Sequence, residues 1–284
     1  MLAVSRAAGW GWVCLGVATA LLLVTVYPVT VLAGEVITVG GAGTGLGAMK
    51  LLATAYELAH PGISVRVLPS LGSAGGIKAV AQGALDIAIS ARPLKDNEQG
   101  MVAVEYARTP FVFVAHRKVR AHGLTLRELE EIYAGAKTAW PDGGRIRLVL
   151  RPETDTDTGI ISTFSPGMAK AMRTALGRKG MIVAVTDQEC VAAVAQTPGG
   201  LGGATLTQLV TEKQPVKVLA LEGIIPSVQA LAEGRYRQFK TLYLVMPSAA
   251  TPAARRFADF IRSREGARIL GRVGNLVVST PGGR

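Results

Sequence analysis

Residues 36–50 read Val36-Ile37-Thr38-Val39-Gly40-Gly41-Ala42-Gly43-Thr44-Gly45-Leu46-Gly47-Ala48-Met49-Lys50. A β-favouring run enters a glycine-rich turn, and a helix-compatible stretch follows. Such a turn presents backbone N–H groups at the positive end of a helix, an arrangement that suits an anion. The stretch comes just after an apolar N-terminal segment that ends in Val31-Leu32-Ala33. Together the two features imply an exported chain that opens with an anion cradle. That combination suits capture of a solute better than catalysis.

The apolar segment is set aside before fold reasoning. Arg6 is the one charge in its opening third, and Val13 to Val31 is almost wholly apolar. Val31 and Ala33 fit the small-residue rule of signal cleavage, so residues 1–33 read as a signal peptide removed before Gly34. They also read as a retained membrane anchor, because Gly9 to Ala33 is long enough to span a bilayer. The surroundings of Cys14 lack the pattern of a lipoprotein signal. Either reading places the remainder outside the cytoplasm, periplasmic or otherwise extracytoplasmic, and tethered in the second case.

Beyond position 33 the chain carries 30 of its 31 Lys and Arg against all 20 Asp and Glu, a net charge of +10. Such a field attracts anions. Nucleic acid is not the partner implied: the basic residues are scattered, barely interleave with aromatics, and accompany no recognition helix, RNA-binding signature or zinc spacing. Cys190 is the one cysteine after the N-terminal segment, which excludes an intramolecular disulfide there. It reads as a small buried residue in a helix.

Periodicity assigns strands to Glu35–Val39, Ser64–Leu68, Leu85–Ile89, Phe111–Ala115, Arg147–Leu150, Ile182–Val185, Gly200–Ala204 and Thr241–Met246. Helices are expected over Gly47–His60, Gly75–Gln82, Leu126–Tyr133, Gly159–Leu176 despite Pro166, Glu189–Ala195 and Pro252–Ser263, with Gly266–Leu270 as a continuation of the last. This alternation argues for an α/β protein with mostly parallel sheets. No internal repeat or low-complexity tract is present beyond residue 33.

Four strand-to-helix turns read as ligand loops. They are Gly40–Gly47, Pro69–Gly76, Arg151–Thr158 and Thr186-Asp187-Gln188. In parallel α/β sheets such turns lie at the carboxyl ends of strands, where ligands bind. Ordinary N-capping by Ser, Thr or Asp accounts for any one of them equally well. Gly43 to Ala48 also fits G-x-G-x-x-A, but the second strand ends without the acidic residue that holds a ribose. Catalysis is poorly supplied. His60, His116 and His122 stand beside a helix end and a basic loop, and there is no nucleophile elbow or metal-ligand spacing. No catalytic residue, metal site or cofactor is expected. A secreted hydrolase using Asp155 and Asp157 would lack both a nucleophile and a metal set.

These loops, in this order, resemble the phosphate-type periplasmic solute-binding proteins of ABC importers, in the type II periplasmic binding-protein superfamily. Ser73–Lys78 followed by Leu85–Leu94 is similar to that family's second loop, helix and third strand. Leu124–Gly135, with Trp140 shortly after, is similar to its most recognisable internal motif. Pro198–Ala204 and Phe257–Ile261 resemble the turn before the return crossing and the closing helix. The resemblance covers essentially the whole chain after residue 33. It implies a two-lobed fold with a hinge and an interlobe cleft. Lobe 1 would comprise 34–115 and 229–284, and lobe 2 would comprise 116–228.

The resemblance further implies a binding protein, not an enzyme, that captures a tetrahedral oxyanion, phosphate foremost, and delivers it to an ABC permease. The alternative is a periplasmic or membrane-tethered sensor or scaffold that keeps the fold without high-affinity uptake. By position, Thr44, Gly45, Ser73 and Arg151 match the family's ligand groups. Ala74, Ser90, Thr156, Asp157 and Thr158 complete the expected ligand set.

Two departures matter. The family's Ser-Gly-Thr turn after the arginine is here Asp155-Thr156-Asp157, and Ala91 stands where some members have a carboxylate. An ionised Asp facing a dianion is repelled by it. Asp155 and Asp157 therefore either accept a proton from the ligand or are themselves protonated, or turn back to cap their own helix. The expectation adopted is that at least one of them caps, with Thr156 and Thr158 as the replacement donors.

Overall fold

The computed structural model describes residues 34–278. The expected signal peptide or anchor at 1–33 lies outside the described residues. In chain order the elements are β1 (Glu35–Gly41), α1 (Gly43–Ala59), β2 (Ile63–Ser70), α2 (Gly72–Ala81), β3 (Ile87–Ser90), β4 (Met101–His116), β5 (Gly123–Leu124) and α3 (Leu126–Ala134). Then come β6 (Arg147–Leu150), α4 (Thr156–Ser162), α5 (Met168–Gly177), β7 (Ile182–Val183), α6 (Asp187–Gln196), β8 (Gly200–Thr205) and α7 (Leu206–Glu212). The chain continues through β9 (Val216–Val218), β10 (Ala220–Leu221), α8 (Val228–Ala232), β11 (Phe239–Pro247), α9 (Pro252–Arg262), α10 (Arg264–Arg272) and β12 (Leu276–Val277).

Ten strands form one sheet along the path β2-β1-β3-β11-β4-β8-β6-β7, with β9 and β12 on β4. The βα units pair in parallel: β1 with β2 and β3, and β6 with β7 and β8. The middle of the sheet does not. β11 runs antiparallel to β3 and β4, and β4 runs antiparallel to β8, β9 and β12. The mostly parallel sheet expected from the alternation is therefore corrected to a mixed one. The two strands responsible belong to no βα repeat, and a local pattern does not reveal their direction.

Among the described residues four sets of buried side chains pack on this sheet, two of them large and two small, the small ones including Val112 and Ile77 respectively. Ile37, Met49, Leu52, Tyr56, Leu242, Phe257 and Ile261 belong to one core, which draws on β1, α1, β11 and α9. Phe111, Phe113, Leu129, Tyr133, Met172, Leu201 and Tyr236 belong to another, which draws on β4, α3, α5 and β8. The 16-residue β4 serves both: Tyr106 and Ala107 lie in the first core, Phe111 and Phe113 in the second. The carboxy-terminal helices return to the core that β1 and α1 began.

Local chemistry sets the helix ends. α3 and α6 open with capping boxes, Thr125 with Glu128 and Thr186 with Glu189. Pro252 sits at the first turn of α9, where its missing N–H costs nothing. The expected helix over Gly159–Leu176 is two helices, α4 and α5, broken around Pro166. Proline lacks the N–H and disfavours helical backbone in the residue before it. The expected continuation at Gly266–Leu270 is a separate helix, α10, capped by the Ser263 hydroxyl.

Glycine brings α2 close to the site. Gly41 has φ +110°, and a Cβ there would stand 2.2 Å from the Ile89 carbonyl oxygen. A Cβ on Gly76 would stand 2.6 Å from the Gly41 Cα. The start of α2 therefore packs directly on the end of β1, and no other residue permits that approach.

Candidate functional site

Four helices begin at one polar seam between the two cores. Their first turns carry Thr44 on α1, Ser73 on α2, Thr156 and Asp157 on α4, and Asp187 on α6. Across the seam the Thr44 hydroxyl donates to Asp187 Oδ1 at 3.0 Å, the Thr156 hydroxyl to Ser73 Oγ at 3.4 Å, and Gln188 Nε2 to the Gly43 carbonyl at 3.1 Å. Helix N-termini concentrate partial positive charge.

At the centre lies Lys240, from β11. It pairs with Thr109 of β4, next to the point where β4 passes from one core to the other. Its ammonium is ion-paired to Asp157 and stands 3.2 Å from Asp187 Oδ1. It also donates to the Thr44 hydroxyl at 3.0 Å and lies 5.8 Å from the centre of the Phe111 ring. Only 2% of the Lys240 side chain is exposed. Thr205 donates to Thr44 at 3.5 Å and completes the cluster.

Arg151 leaves the end of β6 beside it. Its guanidinium grips Asp155 with Nη2 at 2.8 Å and Nε at 3.3 Å, and donates from Nη1 to the Ala184 carbonyl at 2.9 Å. Asp155 is also the N-cap of α4, accepting from the Asp157 N–H at 2.9 Å. The expectation that one of the two aspartates caps this helix is met by Asp155; Asp157 faces Lys240 instead.

Two cations and three carboxylates thus share one interior, a net charge of −1 when all are ionised. Burial acts against the charged forms of Lys240, Arg151, Asp157 and Asp187. It pushes the Asp157 carboxyl up to about 6, and Lys240 offsets only part of that because Asp187 and Asp155 add their own repulsion. Asp187 goes the other way: burial raises it, but Lys240, Arg151 and the Thr44 hydroxyl outweigh burial and hold it low. The Lys240 ammonium is kept charged, its two carboxylates prevailing over burial. A single proton on Asp157 would make the cluster neutral.

In front of the cluster a cavity of about 740 Å³ opens between the loops. Ser73, Ala74 and Thr156 line it, with Asp155, Thr186, Arg92, Lys95 and Tyr243. Arg92 is not free, since its guanidinium holds Glu98 at 2.6 and 2.7 Å. The other expected ligand residues serve their own loops. The Ser90 hydroxyl donates to the Arg92 carbonyl at 2.6 Å, and Thr158 donates to the Pro152 carbonyl at 2.9 Å. Gly45 packs where a Cβ would come within 2.7 Å of Ile89 Cγ2. Ser73 also accepts from the Ala91 N–H at 3.0 Å, so the α2 loop and the end of β3 hold one another.

Sequence reasoning missed Lys240. The strand expected over Thr241–Met246 begins two residues earlier, at Phe239. The available signal was a lone charge inside Phe239–Met246, where Lys240 shares one strand face, at a spacing of two, with apolar Leu242 and Leu244. Asp187 fell within the fourth loop singled out, yet a capping position gave no reason to pair it with a distant lysine.

A profile of the PBP superfamily domain matches residues 28–265, and the chain belongs to that superfamily. It is 25% identical over 209 residues to the phosphate-binding protein PstS of Bacillus subtilis, covering 68% of this chain and 64% of that protein, just under two thirds of the relative's length. It is 24% identical over 259 residues to the protein SphX of Synechococcus elongatus, covering 81% of this chain and 74% of the relative. In structure it matches a putative phosphate ABC transporter substrate-binding protein with bound phosphate from Clostridium perfringens. That match has a TM-score of 0.74 at 21% identity over 86% of this chain and all of the other. The two-lobed type II binding-protein fold expected from the motifs is thus borne out, as is the resemblance to the phosphate-type branch.

Proposed function

We propose that the chain is an extracytoplasmic solute-binding protein that captures a tetrahedral oxyanion, phosphate foremost, between its lobes for an ABC importer. The observation that carries this reading is the convergence of four helix N-termini on one seam with Arg151 beside them. Neutral hydroxyls from Thr44, Ser73 and Thr156, N–H groups and one planar guanidinium make up a donor set suited to an oxyanion. The names borne by the relatives favour the same ligand. No bond is made or broken in this scheme; the lobes close on the ligand and reopen.

The charge of the cluster favours the protonated form of the ligand. A dianion without a proton meets a net negative interior, whereas hydrogen phosphate brings an O–H that a carboxylate accepts. Sulfate brings none near neutral pH. Titration calorimetry with phosphate and sulfate at pH 6 and pH 8 tests the proposal, with melting shifts as a second readout. A ligand at 100 times its Kd adds about 2.7 kcal/mol to the unfolding free energy. Phosphate-selective binding abolished by Asp157→Asn places the carboxylate on the ligand. Absence of any oxyanion-induced shift refutes the proposal.

A second reading rests on a specific observation. Arg151 is already paired with Asp155, and Lys240 with Asp157 and Asp187. A cleft whose cations are satisfied by its own carboxylates suits a sensor or scaffold that keeps the fold without high-affinity uptake, and the same titrations separate the two.

A further inference from the structure

The two ends of strands β6 and β7 differ in what they offer. Their carboxyl ends carry Arg151 and Ala184 into the seam described above. Their amino ends, which begin at Arg147 and Ile182, open on a groove of about 440 Å³. Five cationic side chains line it: Lys137, Arg145, Arg147, Arg178 and Lys179; no carboxylate does. The floor is apolar, formed by Ile132, Leu148 and Met181 among others. Aliphatic stems of Lys and Arg cover such a floor while their charged heads reach towards water.

Part of this charge has a local partner. Lys137 is ion-paired with Glu128. Helices α3 and α5 end here, each bringing roughly half a negative charge. Arg178 donates to the carbonyl of Tyr133 in the last turn of α3 at 3.1 Å. One carboxylate and two helix ends balance about two of the five charges, leaving a surplus of about three. Among the described residues no ion pair involves Arg145, Arg147, Arg178 or Lys179. Among the described residues the buried Arg178 Nε has no hydrogen-bond partner. Like charges held together at that surplus repel one another, and an anion that binds several at once relieves them.

We infer that this groove is a second anion site, at the opposite end of the same strands from the cleft, for a ligand carrying two or more adjacent phosphate groups. Three arginines supply guanidinium donors that match phosphate oxygens, although Arg147 and Arg178 each give one Nη to a carbonyl, Pro198 at 2.6 Å and Tyr133 at 3.1 Å, and the lysines add point charges at the rim. The volume lies in the range of small-molecule sites. The inference does not depend on what the cleft binds.

Inorganic tripolyphosphate is the soluble probe, and vesicles of phosphatidylglycerol present the same chemistry at a surface. Binding of each to the full chain is measured at low and at physiological ionic strength. The groove variant Arg145→Gln/Lys179→Gln is compared with a control of equal charge loss, Lys50→Gln/Arg66→Gln, on exposed residues elsewhere. All three proteins carry the same N-terminal segment, so their differences isolate the groove. The groove variant is expected to bind at least tenfold more weakly at unchanged melting temperature, and the control to bind as the parent does. Groove-dependent binding of tripolyphosphate assigns a soluble ligand; groove-dependent binding of vesicles alone assigns lipid headgroups. Equal weakening in groove variant and control, or binding to neither probe, overturns the inference.

Discussion

Lys240→Met is the sharpest probe of the interior charge cluster. The substitution fills much the same volume and removes one ammonium. At an effective dielectric of about 20, two unit charges 3.2 Å apart attract by about 5 kcal/mol, and Lys240 has two such partners in Asp157 and Asp187. Part of that attraction offsets the cost of burying the ammonium itself, which the variant no longer bears. What remains is the stranding of two carboxylates, and breaking a buried pair in this way costs about 3–5 kcal/mol. Urea unfolding at pH 7.5 measures it.

The loss should shrink at pH 5. Without the ammonium, Asp157 is raised further above the unfolded 3.8 and Asp187 loses the main cation that held it low, so the folded state holds more protons than the unfolded state and stability rises as pH falls through that window. A second variant, Lys240→Met/Asp157→Asn/Asp187→Asn, removes the stranded charge and should recover much of the loss. A deficit under 1 kcal/mol, or one equal at both pH values and unrelieved in the triple variant, would refute a desolvated ion cluster at this position.

Three further outcomes are expected. Asp157 has a folded pKa of about 6 against 3.8 unfolded, so its ionisation costs stability above pH 6 and that cost disappears as pH falls towards 4; Asp157→Asn should flatten the rise seen in denaturant midpoints of the parent between pH 7 and pH 5. Arg151→Ala should weaken oxyanion binding by about 2–4 kcal/mol in calorimetry, the range for losing a buried charge partner, and unchanged affinity in a folded variant would move the site. Gly76→Ala forces a Cβ to 2.6 Å from the Gly41 Cα, where only backbone can yield, and should lower the melting temperature by several degrees, whereas Gly159→Ala, which meets no neighbour, should not.

The elements readable in the sequence are those with strong local determinants. The β1–α1 unit, the capped helix α3 and the proline-led helix α9 were each marked by residues within a few positions of one another. The direction of β4 and β11 was not marked, because antiparallel pairing across 130 residues leaves no local trace. Pro166 marks the break between α4 and α5, but the apolar pattern runs on past it and reads as one helix. In the site, the loops were legible as glycine- and hydroxyl-rich turns, and a cap by one of Asp155 and Asp157 was legible, though not which. The pairing of Lys240 with Asp157 and Asp187 was not, since it joins α4, α6 and β11 through tertiary packing. A single alternating strand residue carries no signal of its distant partners.

The unbroken strand β4 has a bearing on how the molecule comes apart. Its residues 101–110 hydrogen-bond to β11 and its residues 111–115 to β8, with no loop between the two ladders. The junction is pinned from both sides: the Thr109 hydroxyl donates to the Gly274 carbonyl and accepts from the Thr207 N–H, and the Tyr236 hydroxyl donates to the Phe111 carbonyl at 2.7 Å. Pulling either ladder open frays the end of the other. Amide protons of Ala107 and Val112 should therefore exchange with solvent at a common rate, through one shared opening event, although they belong to different hydrophobic cores. Cutting the chain between residues 109 and 111 should likewise leave neither half able to fold on its own, since each half would expose a raw strand edge where the other had been.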